Sequence, residues 1–358
     1  MWPYWLLFGL AAWLATTHMW PQRRFDPRWP APWWGMFAAL VLVVGLRDRV
    51  GGDWDTYLLH MSNGGRHTLA ESLAEKDPAY SLLNWAVAQL GGNIYAVNTV
   101  CALLFAWGLI SFCRVQPRPW LALVVAVPYL VTVVAMGYTR QGTAIGLVML
   151  GLVALGRGQT LRFVLWTVVA ATFHKSATIL IPLAVLAGRQ INLATLMWVV
   201  PATAGVFVLI VLDSVDALAV NYIGREYDSQ GAGVRVAMNA LPGAVFLLLR
   251  HRFKLLPQQQ RFWTWMAMGG IVFVLLLAVS PSSTAVDRLA LYWIPLQVFV
   301  WSRLPNALGQ PDGPNPGWVW VTVAYSALVL AVWLFFGGHA YLWLPYRWWP
   351  VQLLEGSL

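Results

Sequence analysis

The stretch Arg47-Asp48-Arg49-Val50-Gly51-Gly52-Asp53-Trp54-Asp55-Thr56-Tyr57 places two guanidinium groups and three carboxylates around a Gly-Gly pair, directly after an apolar run that ends at Leu46. Ionisable groups at the mouth of a membrane helix are costly to hold, so such a cluster reads as a functional site by default. Other polar groups sit in similar places: Arg140-Gln141, His174-Lys175, Asp287-Arg288 and Tyr346-Arg347. Each has an ordinary explanation when taken alone. An arginine can snorkel to headgroups, a histidine can bond a carbonyl, and Asp287-Arg288 can be a simple ion pair. Taken together, Arg47, Arg49, Arg140, Lys175, Arg225, Arg288 and Arg347 are cations beside hydrocarbon. Guanidinium forks match phosphate oxygens, so the chemistry they suggest is recognition of a phosphate or pyrophosphate, carried on a lipid, at the lipid-water boundary.

The elements that position these groups must be membrane helices. With 59% hydrophobic and 10% charged residues over 358 positions, and a mean hydropathy of +0.63, an ordinary water-soluble domain is excluded. The 23 Trp suit long membrane-water interfaces. A net charge of +9 raises the question of nucleic acid. No basic stripe interleaved with aromatics lies outside the apolar runs, so no nucleic-acid partner is expected. Cys101 and Cys113 lie on one expected helix, too far apart along it to bridge. Residues 1–19 carry no basic leader region and Ala15-Thr16-Thr17-His18 is a poor cleavage site, so the first run reads as an uncleaved helix.

Apolar runs fall at about residues 2–20, 31–46, 94–113, 119–136, 141–156, 162–173, 176–187, 191–212, 235–249, 262–280, 287–302 and 317–336. Several are shorter than the roughly 20 residues of a normal span, which requires tilt, thinning or re-entrant geometry. If the chain turns back at His174, thirteen of the 23 basic residues, Arg114, Arg118, Arg157, Arg250 and Arg303 among them, share one face with only Asp26 and Asp312. That asymmetry is the mark of a cytoplasmic face. The reading is therefore about twelve transmembrane or re-entrant helices in one integral membrane domain over residues 1–358, with both termini and all the candidate groups outside. Residues 47–93 form an extracytoplasmic loop. Within it Pro78 opens a run to Leu90 with apolar residues at helical spacing, expected to be an interfacial helix.

At these residues the chain resembles a known family. Arg47-x-x-Val50-Gly51-Gly52-Asp53-x-x-x-Tyr57, Asp77-Pro78-x-Tyr80-x-Leu82-Leu83-Asn84, Arg140-Gln141, Phe173-His174-Lys175-Ser176-Ala177, Asp287-Arg288 and Leu344-Pro345-Tyr346 are similar in type and order to the EpsG family of Wzy-like exopolysaccharide polymerases. The long Trp-rich ends and the pair Trp54-Asp55 depart from the pattern. The resemblance implies a GT-C-like glycosyltransferase in the bacterial inner membrane, with its active site facing the periplasm. Its donor and acceptor would be undecaprenyl-pyrophosphate-linked oligosaccharides, its surroundings the lipid bilayer, and a chain-length regulator or export complex its expected protein partner. No glycine-rich nucleotide loop is present, in keeping with a donor that is not a nucleotide sugar.

Under that resemblance the expected reaction is an inverting transfer, with no cofactor and no metal. His174, Asp53 and Arg140 are the expected catalytic residues, and Arg47, Arg49, Tyr57, Gln141, Lys175, Arg288 and Tyr346 are expected to bind pyrophosphate and glycan. A base must take the proton of the acceptor hydroxyl; His174 is preferred over Asp53 because its reference pKa lies near neutrality. Asp53-Trp54-Asp55 also has the Asp-x-Asp spacing that some glycosyltransferases use for a divalent metal, although so short a pattern assigns none. A transporter or flippase of lipid-linked sugars would need charges lining a path through the membrane, whereas the mid-span positions are almost wholly apolar. A ligase would share the donor and differ in the acceptor. An acyltransferase lacks a second histidine motif, and a non-enzymatic scaffold would tolerate loss of Arg140 and His174.

Overall fold

The computed structural model describes residues 1–22, 25–186, 197, 231–280 and 282–355. Its helices are α1 (Trp2–Thr17), α2 (Ala31–Gly45), α3 (Trp54–Arg66), α4 (Leu69–Ala74), α5 (Pro78–Gln89), α6 (Ile94–Arg114), α7 (Pro119–Ala126, prolonged by a π-helical stretch Val127–Ala135), α8 (Thr139–Gly156), α9 (Thr160–Phe173) and α10 (Ile181–Leu186). They continue with α11 (Ala232–Leu249), α12 (Pro257–Val279), α13 (Ser283–Ala290), α14 (Ile294–Leu308), α15 (Pro316–Phe336) and α16 (Trp349–Glu355). No named strand occurs among the described residues. Five helices, α6, α8, α11 with its extension to Phe253, α12 and α15, are long and apolar enough to cross a membrane, and α2, α7 with its π stretch, and α9 are shorter apolar helices. The chain is an all-α polytopic membrane protein. The run 191–212, Met197 apart, and Arg225 lie outside the described residues.

Burial separates an inner helix from outer ones. The apolar window of α8 is 83% buried, against 33% for each of α11, α12 and α15, so α8 runs through the middle while the others turn a face outward. Leu248, Leu275, Val279 and Phe336 on those faces are exposed, as side chains bathed in lipid should be. Helix α6 approaches α8 so closely that a Cβ on Gly108 would overlap the carbonyl oxygen of Gly146. Close small-residue contacts of this kind drive helix association where no water is available to be expelled. Gly108→Val is therefore expected to destabilise the fold by about 1–3 kcal/mol or more, read as a lower thermal midpoint in detergent; an unchanged midpoint would show that α6 can retreat at no cost.

The two ends of the bundle differ in chemistry. At one end the Gln22 amide donates to the carbonyls of Arg114 (2.6 Å) and Gln116 (2.8 Å), and Arg118 donates to Asn306 Oδ1 (2.8 Å) and to the carbonyls of Gly313 (2.7 Å), Pro314 (3.0 Å) and Met19. This is the basic end. Arg47, Asp53, Asp77, Arg140, His174 and Asp287 lie at the other, hereafter the site end. The chain reverses at His174 as the charge distribution requires. His174 leaves α9 in an extended conformation (φ −157, ψ 106), and the 3₁₀ turn Lys175–Leu180 and α10 pack back on α9. The expected interfacial helix is α5, which packs on α3, α4 and the ends of α6 and α9.

The segment before α3 is clamped by the C-terminal strap. Asp48 N donates to the carbonyl of Arg347 (2.9 Å), Gly51 N to that of Leu342 (3.0 Å) and Trp349 N to that of Leu46 (2.9 Å). Gly51 adopts φ +108, and a Cβ there would strike the carbonyl oxygen of Met136, so only glycine lets this loop reach the turn before α8. Trp343, whose indole donates to the Thr132 carbonyl (2.7 Å), closes the other side of that turn. The first residues of α8 are thus fixed by two separate stretches of chain, the loop before α3 and the C-terminal strap.

Candidate active site

Arg140 is the second residue of α8, placed where the unpaired N–H groups and positive dipole end of the inner helix reach the site end. Its Nη1 donates to Asp77 Oδ2 at 2.8 Å, and its guanidinium carbon lies 5.8 Å from the centre of the Tyr80 ring. Its remaining donors are not taken by any side chain or carbonyl among the described residues. The other Asp77 oxygen accepts from the backbone N of Lys175 (3.2 Å), so one carboxylate joins α5, α8 and the turn after α9. Asp77 precedes Pro78 and would be expected to cap α5, yet it makes no side-chain cap bond; its carboxylate is used across the site instead.

Asp53 stands at the N-terminus of α3 without capping it. Arg288 and Arg140 act on its carboxyl, which also interacts with the Tyr57 hydroxyl. Burial outweighs these cations and raises its pKa above the ordinary carboxylate value of 3.8. Tyr57, almost fully buried, is linked in turn to Thr139, whose Oγ1 accepts from Arg47 Nη2 (2.6 Å). Arg288 is exposed on α13 and makes no side-chain hydrogen bond or ion pair with the described residues. Gln141, buried on α8, donates to the Arg288 carbonyl (2.6 Å), which fixes the backbone that carries this arginine.

His174 lies at the same end, with Nδ1 3.0 Å from the Tyr292 hydroxyl. Burial, and then the charges of Arg140, Arg288 and Lys175, push its pKa down to about 3. The imidazole is neutral at any physiological pH, but it is a far weaker base than its reference value suggests.

The structure thus brings Asp53, Tyr57, Arg140, Gln141, His174, Lys175 and Arg288 together. Three other expected binding residues sit differently. Arg47 is fully buried, with Nε on the Val50 carbonyl (3.2 Å), Nη1 on that of Val44 (2.5 Å) and Nη2 on Thr139, so it braces the loop and the start of α8. Tyr346 donates to the Val43 carbonyl (2.8 Å) and packs edge-on against Tyr4. Arg49, exposed at φ +51, lines a separate cavity of about 420 Å³ with Asp48, Trp54, Tyr95 and Arg347. Asp55 is exposed on α3, and among the described residues no group of three His, Cys, Asp or Glu side chains is placed to hold a metal ion.

Several groups at this end have no site role in the sequence reading. Asp77 and Tyr80 belong to a motif of the family resemblance that otherwise reads as a helix start, and Tyr138 and His60 give no signal of a role. Arg140 acts on His60, while Asp53, Asp287, Arg235 and Arg288 all act on Tyr138. Arg235 on α11 pairs with Asp287 at 2.6 Å and borders a cavity of about 700 Å³ between α11 and α15. Its other walls are mostly apolar, Met238, Leu241, Leu328, Val332 and Phe336 among them, so a charged end leads into a hydrocarbon-lined groove.

No curated protein and no solved structure matches the chain. The sequence model of the EpsG family matches residues 33–348. A match of that span takes in every segment gathered at the site end, from Arg47 to Tyr346, and the chain therefore belongs to the EpsG family, a family of Wzy-like polymerases.

Proposed function

We propose that the site end joins glycan repeat units carried on undecaprenyl pyrophosphate, by an inverting transfer on the periplasmic side of the bacterial inner membrane, in a GT-C-like manner. The observation that carries this reading is a pair of arginines, Arg140 and Arg288, that both act on a half-buried carboxylate, Asp53, and keep guanidinium donors that no described residue takes. The acceptor hydroxyl attacks the anomeric carbon of the donor sugar, the bond from that carbon to the pyrophosphate oxygen breaks, and the hydroxyl proton passes to Asp53. Charge builds up on the departing pyrophosphate, where Arg140, Arg288 and the N-terminus of α8 can meet it, with Lys175 at the margin. The cavity between α11 and α15 would take the prenyl chain, its apolar walls beginning at the Arg235–Asp287 pair.

Asp53 is preferred over His174 as the base for a physical reason. A proton acceptor works best when its pKa approaches the operating pH. Burial moves Asp53 towards that condition and moves His174 away from it. In this scheme His174 stays neutral, held by Tyr292 without adding a further positive charge to those of Arg140, Arg288 and Lys175. Arg47 and Gln141 are positioning residues, the first for the loop that carries Asp53 and the second for Arg288.

Purified protein given a lipid-pyrophosphate oligosaccharide should produce a ladder of longer lipid-linked glycans. A single addition would point to a ligase, and movement of intact donor across a vesicle without any new linkage to a transporter. The pH profile of the ladder reaction provides a second check. Protonated Asp53 cannot accept a proton, so the rate falls as pH drops towards its pKa, and because that pKa is raised the acid limb lies above 3.8. A limb near 3 would assign the base to His174 instead.

A further inference from the structure

The arginines of the basic end fall into two kinds. Arg118 directs Nε and both Nη atoms at carbonyl or amide oxygens, and Arg114 Nη2 donates to the carbonyls of Asp26 (2.6 Å) and Arg28 (2.5 Å). These two hold loops together. Arg303, on α14, is different. Its Nε donates to Gln116 Oε1 (3.1 Å) and its guanidinium stacks on the Phe299 ring at 4.5 Å, which fixes the plane of the fork. Its two Nη atoms have no partner among the described residues, and Arg303 lines a cavity of about 110 Å³.

That cavity lies between the ends of α6, α8, α12 and α14. Phe112, Phe262, Trp263 and Phe299 form apolar walls, the Gln259 amide lies against it, and exposed Arg157 stands at its edge. No carboxylate among the described residues lines it. A half-buried cation with unspent donors, a second cation at the edge and no acidic partner has the composition of an anion site, since an unpaired charge in such surroundings is expensive. Single-water occupancy needs only about 15 Å³, so there is room for a larger group. It is also far from the site end: Arg140 and Arg157 lie at opposite ends of α8, about 25 Å apart at 1.5 Å per residue.

We propose that this cavity binds a phosphate group, with Arg303 as the bidentate donor and Arg157 as the second cation. The source the surroundings favour is an anionic lipid headgroup, because basic pockets between membrane helices beside apolar walls are where such headgroups lodge. Free phosphate has the same chemistry and is the alternative source. Nothing in this proposal depends on the reaction at the site end.

The test uses the full-length protein in phosphatidylcholine nanodiscs doped with phosphatidylglycerol, with retained lipid measured by native mass spectrometry. A parallel arm adds inorganic phosphate to the protein in lipid-free detergent and reads the thermal midpoint. Wild type should retain phosphatidylglycerol, and Arg303→Gln should weaken that retention by about tenfold or more, the loss expected for one charge-assisted bidentate contact. Arg157→Gln, at an exposed position that does not endanger folding, should weaken it by a smaller factor. Arg250→Gln, an exposed arginine of the same end outside the cavity, should leave it unchanged. Stabilisation by inorganic phosphate that vanishes in Arg303→Gln, with no preference for phosphatidylglycerol, would name free phosphate as the source. Retention in both Arg303→Gln and Arg157→Gln equal to wild type, with no response to phosphate, would overturn the site; so would equal losses in all three variants, which would mean diffuse surface charge.

Discussion

Asp53→Asn is expected to slow chain extension by about 10²- to 10⁴-fold, the usual worth of a positioned general base, while leaving the protein folded and able to bind its donor. The substitution preserves shape and removes only the ability to accept a proton. Asp53 makes no side-chain cap bond to α3, so the helix loses no cap when the charge goes. Removing a negative charge beside Arg288 and Arg140 should, if anything, favour an anionic donor. The expected pattern is therefore a collapsed turnover rate with donor affinity unchanged or tighter. Measuring both matters, because a rate loss accompanied by weak binding would mean that the loop had shifted. Extension within about threefold of wild type would remove Asp53 from the mechanism, and the companion variant His174→Gln would then decide whether the imidazole takes its place.

The gathering of groups at the site end could be read from the sequence because topology did the work. With the basic loops on one face, Arg47, Arg140, His174 and Asp287 must share the other. The reversal at His174, on which that assignment depended, is visible as an extended residue between α9 and a 3₁₀ turn. What each group does there could not be read. Arg47 has the same charge as Arg140, but the end of α2 leaves the Val44 carbonyl open and the following loop presents that of Val50, and these absorb its donors. A sequence shows cations, not the open carbonyls that spend them.

Asp77 shows the converse limit. Asp followed by Pro at the start of a helical run looks like a cap, and no local pattern reveals that Arg140, 63 residues on, will claim the carboxylate. Arg235 and Asp287 form their ion pair over a separation of 52 residues for the same reason. The reference pKa that favours His174 is likewise a property of the free side chain; burial, and then three cations, produce a different one. Fold class and the placement of polar segments follow from hydropathy and charge, which are sums over many residues. Individual roles depend on single contacts between distant segments.

Arg140→Ala should reduce chain extension by about 10²- to 10³-fold, the scale found when one preorganised donor to a developing negative charge is removed. Taken alone, that result would be ambiguous. Arg140 also neutralises Asp77, whose side chain is only 10% exposed, and stripping one partner from a buried pair can cost about 3 kcal/mol of stability. The double variant Arg140→Ala with Asp77→Asn separates the two effects, because no buried carboxylate is left unpaired. It should recover most of the lost thermal stability and none of the lost activity. Asp77→Asn alone keeps the cation, and should lose some precision in placing Arg140 and Lys175 but retain far more activity than either Arg140 variant. If the double variant regained activity together with stability, Arg140 would be a structural residue and the charge on the leaving group would have to be met by Arg288 alone. Arg288→Ala provides the last comparison. It is exposed and its side chain bonds to none of the described residues, so its loss should weaken extension without moving the thermal midpoint, which is the behaviour of a residue that serves the substrate and not the fold.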